Sequence, residues 1–172
     1  MDMSDERVIG AAPEVVWAAL LSPEVLKECI PGCESMTGSP EQGFEAIVVQ
    51  KIGPVKAKFT GVVTLSDIVE GRSCTISGEG KGGPAGFAKG GAQVVLTPEG
   101  DGTKLGYTVE ARVGGKIAQL GSRLIDGFAR KMADEFFTRF QAAVEPPDEG
   151  GDAPEAEGAE TNKKGWFRRL VG

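Results

Sequence analysis

Between Phe44 and Val113 the apolar residues of this chain recur with a period near two, the pattern of half-buried β-strands. Short sequences rich in glycine and proline interrupt this pattern, as turns do. We therefore predict five strands, at 44–52, 55–68, 73–80, 87–98 and 103–113. Consecutive strands joined by short turns pair antiparallel, so this part of the chain predicts a meander.

After the meander, the sequence predicts one long helix from 116 to 144. Its apolar residues are spaced by three or four positions, which places them on one helical face: Ile117, Leu120, Leu124, Phe128, Met132, Phe136 and Phe140. At about 1.5 Å per residue the helix would be roughly 40 Å long, enough to lie across a whole sheet. Its first half also carries small residues, among them Ala118 and Gly121. These residues are compatible with a cavity between helix and sheet and equally with close packing.

The residues before the meander predict a short strand at 6–10 and two short helices. The first helix begins at Pro13 and ends at Ser22-Pro23, and the second covers 23–29. With the meander and the long helix, this order predicts an α+β fold. We expect a curved antiparallel sheet of six or seven strands around the long C-terminal helix.

Composition excludes several function classes. The chain of 172 residues contains no histidine, which argues against hydrolytic triads and zinc-activated water. Its three cysteines do not form a metal-binding pattern, so we expect no metal site and three free thiols in a reducing cytosol. The amino terminus lacks the basic and apolar regions of a signal peptide, and no stretch of the sequence is apolar enough to span a membrane.

Two glycine-rich segments could suggest phosphate binding. The segment 80–86 lacks the P-loop order of residues and precedes a strand, not a helix, so a hairpin loop is the favoured interpretation. Residues 113–116 could hold an anion at a helix start, but a tight turn is favoured there as well.

The composition changes sharply after Val144. We divide the chain into a folded domain at 1–144, a linker at 145–162 and a tail at 163–172. The linker contains seven acidic and no basic residues and is predicted to be disordered. The tail combines bases with aromatic and aliphatic side chains, which predicts binding to a membrane or to a protein partner. The residues expected to make this contact are Lys163, Lys164, Trp166, Phe167, Arg168, Arg169 and Leu170.

Four blocks of the sequence resemble the carbon monoxide dehydrogenase G-subunit family: APEVVWAALLSPEVLKECIPGCE, KIGPVKAKFTGVV, GEGKGGPAGFAKG and GGKIAQLGSRLIDGFARKMADEFF. That family belongs to the START-like (SRPBCC) helix-grip superfamily. The resemblance implies a curved sheet that grips a long C-terminal helix around an internal hydrophobic cavity. It also implies association with molybdenum-containing carbon monoxide dehydrogenases or related redox enzymes, recruitment to the membrane, and handling of respiratory quinone.

These observations lead to a first hypothesis of a non-enzymatic carrier and adaptor, located in the cytoplasm and on the inner face of the membrane. It would bind menaquinone, ubiquinone or a similar isoprenoid lipid, with no covalent cofactor and no nucleic acid. We expect the ligand to contact Phe44, Phe59, Phe87, Tyr107, Ile117, Ala118, Leu120, Gly121, Leu124, Ile125 and Phe128. The alternatives are an assembly factor for a molybdenum enzyme, and a cyclase- or hydratase-like enzyme on the same fold.

Overall fold

The structure, a computed structural model, describes residues 1–146. Most of the predicted linker and all of the predicted tail lie outside the described residues. Seven strands form one antiparallel sheet in the order β1-β7-β6-β5-β4-β3-β2. Their bounds are β1 Asp2–Ile9, β2 Cys33–Ser39, β3 Gly43–Ile52, β4 Val55–Val69, β5 Ser73–Lys81, β6 Phe87–Glu99 and β7 Gly102–Gly114.

The predicted α+β fold and its five-stranded meander are confirmed, because β3 to β7 begin and end within one residue of the predicted positions. The first strand is longer than predicted, since all of Asp2–Ile9 pairs with β7. Strand β2 was not predicted, because CESMTGS offers no alternation of large apolar side chains. It adds the seventh strand by pairing with β3.

Both predicted short helices are present, as α1 (Pro13–Leu20) and α2 (Pro23–Cys29). Each begins with proline at its first turn, where the missing N–H costs no hydrogen bond. The Ser22 hydroxyl caps α2 by accepting a hydrogen bond from the Val25 N–H at 3.4 Å. The two helices are therefore separate elements, divided at Ser22 as the sequence predicts.

The prediction of a single helix from 116 to 144 is wrong at its amino-terminal end. Residues Gly115–Leu120 form a 3₁₀ helix, and the α-helix, α3, covers only Ser122–Val144. Between them Gly121 has a φ of 93°, a backbone conformation that favours glycine. This conformation ends the 3₁₀ helix. The apolar side chains before Gly121 consequently do not continue the face of α3.

The core lies at one end of the sheet, which we call the closed end. Phe137 and Phe140 of α3 are buried there, against Ile9 of β1, Leu105 of β7 and Trp17 of α1. The sequence pattern placed Phe136 on the buried face, and its ring stacks on Phe140 with centroids 5.6 Å apart. It did not identify Phe137, although this ring stacks on Tyr107 at 5.4 Å.

Candidate ligand-binding site

The concave face of the sheet carries a band of glycine and alanine. Strand register places Ala46, Gly61, Gly80 and Ala88 side by side on four adjacent strands, from β3 to β6. Because no side chain in this row is larger than a methyl group, the centre of the concave face is recessed. The end of the sheet opposite the core, where the β3–β4 and β5–β6 connections lie, we call the open end.

Side chains of α3 do not pack directly on the two glycines of this band. A Cβ atom built on Gly61 would have only the Glu79 and Ala46 carbonyl oxygens within 4 Å, at 3.8 and 3.9 Å. One built on Gly80 would have only the Thr60 carbonyl oxygen, at 4.0 Å. All three contacts are with neighbouring strands, so no side chain of α3 comes within 4 Å of a Cβ position on either glycine.

The walls of this space are apolar and incompletely buried. On β4, every second residue from Val55 to Leu65 lies on the concave side and is half-buried, whereas the residues between them are exposed. On α3, Ile125 and Phe128 are half-buried as well. The α3 backbone approaches α1, α2, β1 and β3, and among the described residues it has no comparable approach to β4–β7. Helix and sheet are thus packed at the closed end and separated over the band.

Six of the residues expected to contact the ligand lie at this space or at its ends. Phe44 is buried on the concave face. Phe59 lies on the same face, and its ring packs directly on Gly82, so closely that a Cβ atom at Gly82 would be only 2.5 Å from it. Tyr107 lies on that face at the closed end. The other three are on the helical side and are half-buried: Leu120, Ile125 and Phe128. Ile117 is buried in the 3₁₀ helix.

The structure places the remaining four predicted residues elsewhere. Phe87 lies on the convex face. Its pairing partner Lys81 is on that face, and the next residue of the strand, Ala88, belongs to the concave band. Ala118 and Gly121 are exposed, and Leu124 is 40% exposed beside the β3–β4 turn. Phe87 therefore does not line the space above the band, and the other three residues are exposed and not packed against it. Whether the other predicted residues touch a ligand stays a prediction.

A polar cluster that the sequence did not reveal lies at the closed end. Arg7 donates a hydrogen bond to Asp134 Oδ1 at 2.7 Å and a longer one to the Tyr107 hydroxyl at 3.5 Å. Its guanidinium carbon is 4.9 Å from the centre of the Phe137 ring, a cation–π distance. Burial disfavours the charged guanidinium, but the bonds to Asp134 and Tyr107 outweigh this effect and raise the pKa of Arg7. The only sequence signal was a charged residue at an inward-facing position of β1.

The Nε atom of Arg7 is buried and has no hydrogen-bond partner among the described residues. The nearest carboxylate oxygen, Asp5 Oδ2, is 3.6 Å away, too far for a good hydrogen bond. The cluster thus holds a buried donor next to the aromatic rings of the core.

The three cysteines are unpaired, as predicted, and are poor nucleophiles. Burial raises the pKa of the Cys29 thiol to about 12, with a smaller contribution from Glu28. Burial also raises the pKa of Cys33 and of Cys74. At neutral pH all three are therefore thiols and not thiolates, which are the reactive form.

A groove of about 1050 Å³ lies on the convex face of the sheet. It is open and is lined by charged side chains such as Glu79, Lys89 and Arg112 together with Phe87. An apolar ligand needs an apolar and largely enclosed site. The concave space, whose walls are apolar, fits that requirement better than this open and charged groove.

Comparison with solved structures finds proteins with the same fold. A conserved protein of Geobacillus kaustophilus is 31% identical, with a TM-score of 0.78 over 84% of this chain and 95% of that one. A protein of Thermus thermophilus shares the fold, with 19% identity and a TM-score of 0.63 over 82% of this chain and 94% of that one. A protein of Chromobacterium violaceum also shares it, with 18% identity and a TM-score of 0.62 over 84% of this chain and 97% of that one. None of the curated proteins matches the chain significantly.

The sequence profile of the carbon monoxide dehydrogenase G-subunit (CoxG) family matches residues 6–145. The match covers the sheet from within β1, all three helices and the concave space. The resemblance found in the sequence is thus confirmed, and the chain belongs to the CoxG family.

Proposed function

We propose that this protein is a non-enzymatic carrier of a long apolar molecule, and that the molecule is a respiratory quinone, menaquinone or ubiquinone. Membership of the CoxG family associates the chain with carbon monoxide dehydrogenase. In this proposal the carrier serves such an enzyme or a related quinone-reducing one at the inner face of the membrane. The observation that carries the proposal is the glycine and alanine band, on whose two glycines no α3 side chain packs.

The dimensions of the space support a long ligand. The apolar concave side of β4 outside the core, from Val55 to Val63, extends over about 25 Å at roughly 3.3 Å per residue, and beyond it Leu65 packs against the core. An isoprenoid chain needs an elongated apolar slot of this kind. A quinone head needs only a few polar contacts, and the Arg7 and Tyr107 cluster at the closed end offers hydrogen-bond donors for a carbonyl oxygen.

Catalysis has weaker support. An enzyme on this fold would need an acid or base free to exchange protons with its substrate. The Arg7 guanidinium is held in an ion pair with Asp134, and burial raises the pKa of the thiols, so neither group readily exchanges protons near neutral pH. We therefore propose binding and transfer as the function.

The membrane contact in this proposal belongs to the tail, 163–172, which lies outside the described residues. None of the helices within residues 1–146 has the length and apolar content needed to cross a bilayer. The basic and aromatic composition of the tail supports peripheral binding.

Lipid extraction and native mass spectrometry of the full chain, purified without detergent, would test the carrier proposal. We expect one quinone or related isoprenoid lipid per chain. An assembly factor would be purified without lipid, and an enzyme would release a chemically altered compound when given a candidate substrate. A lipid-free protein that also fails to bind a quinone analogue would refute the carrier proposal.

A further inference from the structure

The basic residues of this acidic chain are unevenly distributed. The sequence has a net charge of −6, yet the three segments 46–66, 80–98 and 111–125 contain no aspartate or glutamate. Together these segments contain eight basic residues: Lys51, Lys56, Lys58, Lys81, Lys89, Arg112, Lys116 and Arg123.

The sheet brings the three segments together at the open end. The first contains the β3–β4 turn, with Lys51 paired to Lys56. The second segment contains the β5–β6 connection. Its Phe87 pairs with Gly114 of the third segment, and the 3₁₀ helix begins at the next residue, Gly115. The opposite end of the sheet carries acidic residues instead: Asp67 near the end of β4 and Glu70 after it, and Glu99 at the end of β6 and Asp101 after it. The turns at the two ends of the sheet therefore differ in net charge.

A hollow of about 450 Å³ lies between the elements of the open end. Three lysines border it, and none of its lining residues is acidic. Lys58 forms an ion pair with Glu34 at 3.2 Å, whereas Lys56 and Lys116 have no ion pair among the described residues. The rest of the lining is small or apolar: Pro54, Val55, Ala57, Gly82, Pro84 and Ala85.

Exposed apolar groups accompany these lysines. Pro54 and Pro84 are exposed at the tips of their turns, and Leu124 is 40% exposed beside Gly53. The combination of lysine with exposed apolar side chains is typical of surfaces that contact anionic lipid headgroups. Lysine also suits mobile phosphate groups, because its ammonium is a point charge that needs no fixed pairing geometry.

We propose that the open end docks on an anionic membrane surface, with lipid phosphate groups held in the hollow between Lys56 and Lys116. This contact belongs to the folded domain and is additional to the one proposed for the tail. It would turn the concave space toward the bilayer. Only its use in ligand transfer rests on the proposed carrier function, since docking itself needs no quinone.

Matched double variants of the full chain test this proposal. K56E/K116E reverses two bases of the open end, and the control R72E/K104E reverses two at the opposite end, where Arg72 and Lys104 also lack ion pairs among the described residues. Vesicles of phosphatidylcholine, with and without phosphatidylglycerol and free of quinone, are the probe. At about 1 kcal/mol per base, losing two contacts weakens binding to the anionic vesicles roughly 30-fold or more. The control has the same net charge as K56E/K116E but should bind far more tightly than that variant, because its reversed bases lie at the end that faces away from the vesicle.

A second measurement uses the unaltered protein. With a nitroxide label on the lipid headgroup, amide resonances of the β3–β4 turn and of residues 83–85 and 115–117 should broaden, and those of the β4–β5 and β6–β7 turns should not. Equal vesicle binding by both variants, without selective broadening at the open end, would overturn the proposal and leave an acidic protein surface as the partner. Because the vesicles contain no quinone, this outcome is independent of the lipid-extraction test of the carrier function.

Discussion

Replacing Gly61 by leucine should block the ligand space without harming the fold. Gly61 lies near the middle of β4, on the concave face, and does not need a positive φ. The first side-chain atom would meet only two carbonyl oxygens at ordinary van der Waals distance, 3.8 and 3.9 Å. The remaining three carbon atoms would enter the space that the proposal assigns to the ligand.

The expected magnitudes follow from this environment. Glycine inside a strand costs about 0.5–1 kcal/mol relative to alanine, so Gly61→Leu should change the free energy of unfolding by no more than about 1 kcal/mol. A ligand that must share the space is overpacked, which costs about 1–3 kcal/mol and weakens binding roughly 5- to 150-fold. Gly121→Leu would be a poorer test, because Gly121 has a φ of 93° and its Cβ would meet no atom within 4 Å.

Thr60→Leu is the matched control. Thr60 precedes Gly61 on the same strand, but its side chain is exposed on the convex face. Titration with a fluorescent quinone analogue should show weaker binding for Gly61→Leu and unchanged binding for Thr60→Leu, with urea denaturation confirming that both are folded. If Gly61→Leu is stable and binds the analogue as tightly as the parent, the concave space is not the ligand site.

Three further predictions concern the core, the buried thiol and the tail. Thr103 is fully buried and its hydroxyl donates a hydrogen bond to the Ala11 carbonyl at 2.7 Å. Thr103→Val should therefore lower the free energy of unfolding by about 1–3 kcal/mol in urea denaturation, and an unchanged value would contradict this role. The pKa of Cys29 is raised from its ordinary value near 9 to about 12, so the folded state retains a proton that the unfolded chain loses. Stability should consequently fall above pH 9 by up to about 1.4 kcal/mol per pH unit. Cys29→Ala should reduce that slope, and an identical slope would show that other groups cause it. Deleting 163–172 should strongly weaken salt-sensitive co-sedimentation with anionic vesicles and leave binding of a quinone analogue intact. Equal co-sedimentation with and without the tail would mean that these residues bind a protein partner and not the membrane.

Most of the sheet could be predicted from the sequence, because strand and turn signals are local. The alternation along β4 and the Gly53-Pro54 turn each act within a few residues, and the structure follows them closely. The family resemblance was equally readable, since its blocks are continuous in the chain. Strand β2 lacked such a local signal, and only its pairing with β3 defines it.

The candidate site depended on distant contacts that no local pattern contains. Residue spacing could not show that Gly121 breaks the predicted helix, because glycine permits both a helical and a positive φ. Phe87 looked like a ligand contact, but a strand presents alternate residues to opposite faces, and the pairing of Lys81 with Phe87 directs its ring to the convex side.

The polar cluster and the basic open end were decided by tertiary structure. Arg7 and Asp134 are 127 positions apart in sequence and meet only because α3 packs across β1. The segments that carry the eight bases are likewise distant in the chain and meet where the antiparallel strands turn. The sequence determined which residues are apolar, small or charged, whereas their convergence required strand register and helix packing, which depend on contacts between remote parts of the chain.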